Sequence, residues 1–167
     1  MAHVRKILVP MDGSVPSIAA LSHAVALAED LGARIDVLHV DAPDRFKLGS
    51  STAIAKGADA KGDREMEVAI TEARSRLGDR FGRRTESGEP VRKILDLASA
   101  ESTDMIVMGT HGRTGRLQTL FGSVAENVVR SSPCPVLIVR RPAGENESFA
   151  DRIHGTPAIA DQTRPSR

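Results

Sequence analysis

The residues best suited to chemistry form a glycine-rich loop in the second half of the chain. Gly109 and Gly112 follow the apolar run at residues 105–108, and after nine further residues come Gly122 and Ser123. Glycines let backbone N–H groups approach a ligand closely, and the first turn of a helix adds free amides and a favourable dipole. These features favour an anion such as a phosphate group. The alternative is that the glycines only serve turns that need a positive φ.

The spacing of these glycines differs from that of the two best-known phosphate loops. The loop has no lysine in the position that G-x-x-x-x-G-K-[ST] requires, and it does not follow G-x-G-x-x-G. Arg113 and Arg116 add positive charge inside the loop, and we interpret Arg116 as solvated. His111 has no identifiable partner and is interpreted as a surface histidine.

The pattern found here is G-2x-G-9x-G-[ST], after a strand that ends in Val107-Met108 and before a Pro-Cys-Pro-Val sequence. This combination resembles the nucleotide-binding branch of the universal stress protein family. The resemblance spans roughly residues 4 to 140. It implies one domain over residues 1–140 that binds ATP or a related adenine nucleotide, ADP or AMP, and that usually dimerises.

The resemblance also implies which residues hold the nucleotide. In the family a carboxylate at the position of Asp12 contacts the nucleotide, and the position of Val40 holds the adenine through backbone groups and an apolar side chain. Arg113 matches a position that is often basic, which makes it a candidate phosphate partner. The predicted nucleotide-binding residues are Pro10, Met11, Asp12, Val40, Met108, Gly109, Gly112, Arg113, Gly122, Ser123 and Val124.

Several of these residues have alternative roles. Asp12 could accept a hydrogen bond from a ribose hydroxyl, hold Mg²⁺ beside the phosphates, or only stabilise its own turn as an Asx-turn. Ser123 and Glu126 have the spacing of a capping box, while the Ser123 hydroxyl and the Val124 amide could also reach a phosphate. The apolar residues of the predicted pocket could equally belong to the core. No residue is predicted to be catalytic or to be a dedicated metal ligand.

The elements that must position these residues alternate between strand and helix, which predicts a parallel sheet with right-handed crossovers. Pro10 is expected to end the first strand, and polar residues mark the third strand as an exposed edge. The first helix is expected to begin at the N-cap Ser14 and to end at Gly32. The predicted strands cover residues 4–9, 34–40, about 82–87, 105–108 and 136–139, and the second and third helices cover about 63–77 and the residues from 90 onwards.

The family resemblance implies the arrangement of these elements. It is an open five-stranded α/β sheet in the order 3-2-1-4-5 with helices on both faces, a three-layer fold of the adenine nucleotide alpha-hydrolase type. Ligands in open α/β sheets bind beyond the carboxyl ends of the strands, where the strand order reverses. This point lies between strands one and four, so residues 10–14 and the glycine loop would face one crevice.

Two segments lack apolar periodicity. Residues 41–62 are predicted to form a long connection, either a floppy surface insert or a lid. Residues 141–167 contain few large apolar side chains, which predicts a mostly disordered C-terminal tail. A tail that docks on a partner or on a second subunit is the alternative.

The composition narrows the possible partners. The 167 residues include four Phe but no Trp or Tyr, so the core must be aliphatic and an aromatic platform for single-stranded nucleic acid is not expected. A net charge of +1 gives no bulk attraction to DNA or to a membrane surface. No apolar run reaches the length of a membrane span, and the first residues show no signal-peptide pattern. The single cysteine, Cys134, excludes an internal disulfide and fits a cytoplasmic location.

The last strand predicts a second copy of the chain as a partner. It is apolar throughout and would form a sheet edge, which is a hazard unless it is covered. Pairing with the same strand of a second subunit would cover it by two-fold symmetry, and the family resemblance implies this homodimer. The interface residues are Val136, Leu137, Ile138 and Val139.

Three functions follow as hypotheses. The first is an adenine-nucleotide-binding sensor or regulator of a stress response, whose state an unidentified protein partner reads. The second is a slow Mg²⁺-dependent ATPase. Because no general base or Walker lysine stands beside Asp12, Arg113 and Ser123, we expect at most weak ATP hydrolysis. The third is a stress-response scaffold that does not use a nucleotide, and the intact glycine spacing argues against it.

Overall fold

Five parallel strands form one sheet in the order β3-β2-β1-β4-β5, as predicted. The computed structural model describes residues 3–42, 55–110 and 122–140. β3 lies at one edge of the sheet, where the polar sequence predicts it. The elements in chain order are β1 Lys6–Met11, α1 Val15–Leu31, β2 Arg34–Asp41, α2 Ala55–Leu77, a short 3-10 turn Gly78–Arg80, β3 Phe81–Ser87, α3 Pro90–Ala100, β4 Met105–Gly109, α4 Ser123–Ser131 and β5 Val136–Val139.

Helices cover both faces of the sheet and complete three layers. Successive side chains of a strand point to opposite faces, so β1 sends Ile7 and Val9 to one face and Leu8 to the other. Ile7 and Val9 belong to a buried cluster with α1 and α2. Leu8 belongs to a second buried cluster with α3 and α4. Both clusters are largely aliphatic, as the composition predicts.

The second helix begins earlier than the sequence predicts. It starts at Ala55, so the prediction that residues 41–62 form an irregular connection is wrong for residues 55–62. This stretch, AKGADAKG, holds three Ala and two Lys, which favour a helix, but no large apolar residue that would reveal helical periodicity. Residues 43–54 and the predicted tail at 141–167 lie outside the described residues.

The first strand continues through Pro10 to Met11, so the prediction that Pro10 ends it is wrong. The N–H and C=O of one strand residue point to the same side. The Lys6 carbonyl accepts a bond from Asp104 N on the β4 side at 3.0 Å, so Pro10, four residues later, also turns its nitrogen toward β4. Pairing of β1 with β4 ends at Leu8, before Pro10, while pairing with β2 continues to Met11. Proline is therefore tolerated in this inner strand, because no partner requires the N–H that it lacks.

The first helix is capped as predicted. The Ser14 hydroxyl accepts a hydrogen bond from Ser17 N at 3.3 Å. Gly32 ends the helix in the left-handed region, with a φ of 66°, where most side chains other than asparagine would be strained.

The fourth helix is not capped as predicted. Gly122 is its N-cap residue, with extended backbone angles, and Ser123 is already the first helical residue. The capping box of Ser123 and Glu126 is therefore wrong, because the Ser123 side chain stands one residue too late to act as the cap. Glu126 instead pairs with Arg130 at 2.9 Å. Within the described ranges no side chain caps α4.

A chain of charged side chains ties the amino-terminal end of the sheet to the end of α3. Lys6 Nζ lies 3.2 Å from one Asp36 oxygen and 2.7 Å from one Glu101 oxygen. Arg34 contacts the other Asp36 oxygen at 3.1 Å, and Arg84 contacts the other Glu101 oxygen at 2.8 Å. Asp36 is only 4% exposed. It depends on these partners because an unpaired buried charge is costly.

Lys6 and Glu101 in this charged chain lose their contributions to stability at opposite ends of the pH scale. Burial opposes the charge of Lys6, but hydrogen bonds to Glu101 and Asp36 outweigh it, so the pKa of Lys6 is raised. The hydrogen bond from Lys6, with help from Arg84, lowers the pKa of Glu101. The Lys6 contribution to stability is complete below its unfolded pKa and is lost as pH rises through its folded pKa. The Glu101 contribution is complete above its unfolded pKa and is lost as pH falls through its folded pKa.

Replacing Lys6→Met should destabilise the fold by about 3 kcal/mol at neutral pH, because it leaves the Asp36 carboxylate buried with one fewer cation. Urea unfolding measures this free energy directly. The matched control is Lys93→Met, whose ion pair with Glu86 is 2.9 Å long but one-third exposed, and which should cost at most about 1 kcal/mol. The difference in the free energy of unfolding between the two variants should become smaller as pH falls through the folded pKa of Glu101. Equal losses in both variants would contradict a structural role for the Lys6 network.

Candidate functional site

A gap in the hydrogen-bonded pairing lies between β1 and β4 at the carboxyl ends of the strands. The two strands pair only at Ile7 with Met105 and Leu8 with Ile106. Beyond that point β1 stays with β2, and β4 stays with β5 as far as Gly109. The Pro10 nitrogen faces this gap and has no hydrogen to donate across it. The structure therefore places a topological switch point where the strand order predicts one.

Gly109 lies at the end of β4 against the first turn of α1. A Cβ on Gly109 would stand 2.7 to 2.8 Å from the backbone C and O atoms and the Cβ of Pro16, closer than side-chain atoms tolerate. Glycine is required here by this close approach. Its φ is not positive, and neither is that of Gly122. The alternative that these two glycines serve positive-φ turns is therefore wrong.

The two halves of the glycine pattern meet in space. Gly122 N donates a hydrogen bond of 2.6 Å to the carbonyl of Thr110, and Thr110 N donates one of 3.3 Å to Val139 O. These bonds bring the end of β4 to the start of α4. Gly112, Arg113 and the rest of residues 111–121 lie outside the described residues. Thr110 thus connects the end of β4 to the start of α4, and the glycine pattern alone did not predict this role.

The start of α4 differs electrostatically from the starts of α1 and α3. Ser14 caps α1, and the Glu89 carboxylate caps α3 by accepting from the amides of Val91 and Arg92 at 3.0 and 2.6 Å. α4 has no such cap within the described ranges, and Ser123 at its first position is exposed. First-turn amides that no side chain caps are suited to an anion.

The turn after β1 holds Asp12 in a defined conformation. Asp12 Oδ1 accepts a hydrogen bond from Ser14 N at 3.0 Å, so the Asx-turn given as an alternative role is present. Gly13 between them has a φ of 76°, which glycine adopts without strain. A carboxylate has two oxygens and can accept several hydrogen bonds. The Asx-turn is therefore compatible with a ligand contact by the same side chain.

The apolar residues of the predicted pocket lie on two faces of the sheet. Val40 and Met108 pack with the cluster under α3 and α4, and Val124 joins them there. Met11 packs in the cluster under α1 and α2 and is 3% exposed. The structure therefore brings Val40, Met108 and Val124 together and points the Met11 side chain away from them. Pro10 is half-buried in β1 beside the gap.

One polar group beside the turn after β1, His39, was not predicted from the sequence. His39 lies in β2 opposite Met11, and its Nδ1 lies 2.9 Å from the Met11 carbonyl oxygen. The signal available was a histidine near the carboxyl end of a strand, where ligand-binding residues collect in open α/β sheets.

The described residues show neither a metal cluster nor a membrane-spanning helix. No group of three or more His, Cys, Asp or Glu side chains in the described ranges could hold a metal ion. None of the helices in those ranges is long and apolar enough to cross a membrane. Cys134 is a free, half-buried thiol that packs against the α3 and α4 cluster.

Comparison with known proteins gives one consistent family. Residues 3–140 match the model of the universal stress protein family. The universal stress protein MJ0531 of Methanocaldococcus jannaschii is 32% identical over 145 residues, which cover 84% of this chain and 85% of that protein. The solved structure of the hypothetical protein MJ0577 from the same organism matches with a TM-score of 0.64 and 31% identity over 84% of this chain and 99% of that chain. A universal stress protein solved in complex with cAMP matches with a TM-score of 0.59 and 25% identity, over 83% of this chain and 98% of that chain.

Replacing Gly109→Ala should destabilise the fold by about 1–3 kcal/mol, the usual cost of overpacking, because the new methyl group would press on the backbone of Pro16. Urea unfolding is the measurement. A matched control is Gly32→Asn, where no atom lies within 4 Å of the added Cβ and asparagine tolerates the left-handed backbone. If Gly109→Ala were no more destabilising than this control, the packing of β4 on α1 would be looser than described.

Proposed function

Because this chain belongs to the universal stress protein family, we propose that it binds ATP or a related adenine nucleotide in the crevice between β1 and β4. Binding would make it a sensor or regulator in a stress response, with its nucleotide state read by a protein partner in the cytoplasm. The similarity to a universal stress protein solved with cAMP supports an adenine nucleotide as the ligand.

The observation that carries this proposal is the start of α4 beside the end of β4, which no side chain of residues 3–42, 55–110 or 122–140 caps. The bond from Gly122 N to Thr110 O draws the two glycine positions to one place at the carboxyl edge of the sheet. The first-turn amides of α4 there could bind phosphate oxygens without displacing a side-chain cap. Fixed backbone donors bind anions at little ordering cost, since no side chain must be immobilised.

The proposed nucleotide would lie across the gap with its phosphates at α4 and its adenine toward the end of β2. Val40 would contact the adenine, and Met108 and Pro10 would line the same side. Asp12 would accept from a ribose hydroxyl or hold Mg²⁺ beside the phosphates. The proposed phosphate-contacting residues are Gly109, Gly112, Arg113, Gly122, Ser123 and Val124. Met11 belongs to the proposed pocket lining rather than to the phosphate contacts.

Two substitutions at Asp12 separate a ligand contact from a turn contact. Asn at this position keeps an oxygen that can accept from Ser14 N, whereas Ala does not, so only Asp12→Asn preserves the Asx-turn while removing the charge. We expect Asp12→Asn to weaken ATP binding about tenfold in calorimetric titration of nucleotide-free protein, since hydrogen bonds to charged groups are the stronger class. Titration with and without Mg²⁺ distinguishes the two ligand roles, because a Mg²⁺ ligand matters only when the ion is present.

Other results would change the assignment. Wild-type affinity in Asp12→Asn with weaker binding in Asp12→Ala would limit Asp12 to the turn. Absence of binding by the wild-type protein at millimolar ATP would overturn the nucleotide proposal and favour the scaffold hypothesis. Replacing Gly122 with a bulky residue is a further check. The substitution should impair a nucleotide-binding protein, whereas it should not affect a scaffold that uses no nucleotide.

We also propose that the protein forms a homodimer through β5. Within the described residues β5 pairs with β4 alone, so its other edge is open to a second copy. Leu137 on this strand is 39% exposed, and Val129 on the adjoining α4 is 49% exposed. Apolar side chains beside an open strand edge suit pairing with the same strand of a second subunit.

A charge on this edge should disrupt the proposed dimer. We expect Leu137→Glu to elute as a monomer or an aggregate in size-exclusion chromatography, because two-fold symmetry would place two carboxylates in one apolar interface. Val68→Glu is the matched control, since Val68 is 63% exposed but lies on α2, far along the sheet from β5. A dimer that survives Leu137→Glu would rule out this interface.

A further inference from the structure

His39 donates a hydrogen bond to the last carbonyl of β1. Its Nδ1 lies 2.9 Å from Met11 O, and the two residues are opposite each other in the ladder of β1 and β2. A carbonyl oxygen can only accept, so the imidazole must carry a proton on Nδ1. The bond therefore fixes both the ring and the peptide plane that joins Met11 to Asp12.

That peptide plane begins the turn that carries the Asp12 carboxylate. The next constraint is the Asx bond from Ser14 N to Asp12 Oδ1 at 3.0 Å. A third constraint comes from α2, because a Cβ on Gly62 would lie 2.7 Å from the Gly13 carbonyl oxygen. α2 thus approaches the turn so closely that only glycine fits at this helical position. The turn is held on one side by a strand and on another by a helix.

We infer that His39 is a positioning residue for the candidate nucleotide site and acts through the Met11 carbonyl on the orientation of Asp12. The expected effect on ATP binding rests on the proposed function. The effect of His39 on the turn at Asp12 does not, because the turn exists without a ligand. Removing the Nδ1 donor leaves the Met11 carbonyl with one hydrogen bond fewer and the turn with one constraint fewer. His39 itself lies outside the set of proposed ligand contacts.

Two substitutions at His39 separate the hydrogen bond from the bulk of the ring. His39→Phe keeps a planar ring and removes the donor. His39→Asn loses the ring but can present an amide N–H near the position of Nδ1. We expect His39→Phe to weaken ATP binding about threefold to tenfold, the range set by one ordinary hydrogen bond, and His39→Asn to stay within about twofold of wild type. If phenylalanine prevents folding, His39→Val removes the same donor and suits a strand.

The control histidine is His23 in α1. Its Nδ1 also lies 2.9 Å from a backbone carbonyl, that of Ala19 in its own helix. His23→Phe should leave ATP affinity unchanged. The free energy of unfolding of each variant, measured in urea, shows whether a change in affinity exceeds a general loss of stability.

Two readouts separate failure of this inference from failure of the proposed function. Amide hydrogen exchange at Ser14, whose N–H bonds to Asp12, should accelerate about threefold to tenfold in His39→Phe but not in His39→Asn, without any nucleotide present. In a double-mutant cycle, His39→Phe should add little to Asp12→Asn, because both act on one contact. Unchanged Ser14 exchange, or full additivity in ATP binding, would overturn the positioning role. Accelerated exchange in a protein that binds no ATP would confirm the effect on the turn and reject the nucleotide proposal.

Discussion

The pairing of β1 with β4 stops at Leu8, and the site depends on this early stop. Pro10 turns a nitrogen without hydrogen toward β4, so the ladder cannot continue past it on that side. β1 and β4 therefore stop pairing before their carboxyl ends, while each stays paired with its outer neighbour. The backbone itself sets this end of the pairing. It also leaves Gly109 and the start of α4 on one side and the Asp12 turn on the other.

The two ends of the sheet have different tasks. At the amino-terminal end, Lys6, Asp36 and Glu101 satisfy one another and join β1, β2 and α3. At the carboxyl end, close backbone contacts hold neighbouring elements together. Gly109 fits against Pro16 and Gly62 fits against Gly13 at distances that exclude side chains. Charges that are already paired stabilise the fold, while the proposed anion site uses the first-turn amides of α4, which no side chain of the described residues caps.

Much of the fold follows from the sequence, because apolar periodicity reports burial. The uninterrupted apolar run at 105–108 predicted a strand, and Ser14 and Gly32 marked the ends of α1 correctly. The start of α2 was missed because its first residues form a helix without an apolar face. Strand order came from the family resemblance, since spacing along the chain does not tell which strands are neighbours.

The site was less accessible to sequence reasoning than the fold. Gly109 and Gly122 were recognised, but the reason for Gly109 is contact with α1, which depends on tertiary packing rather than on φ. The predicted N-cap of α4 was wrong by one residue, because Gly122 and not Ser123 is the N-cap. The spacing of Ser and Glu cannot distinguish these two positions. His39 and Thr110 act through backbone carbonyls, so their residue types gave little sign of their role.

The most direct test of a nucleotide site at the β1 and β4 gap is amide chemical-shift mapping by NMR during titration with ATP. A ligand in the gap should shift the amides of Gly13, Val40, Gly109 and Ser123 together and with one affinity. The amides of Lys6, Asp36 and Glu101 at the opposite end of the sheet should remain unchanged. Saturable shifts confined to that opposite end, or no saturable shifts at all, would contradict the account.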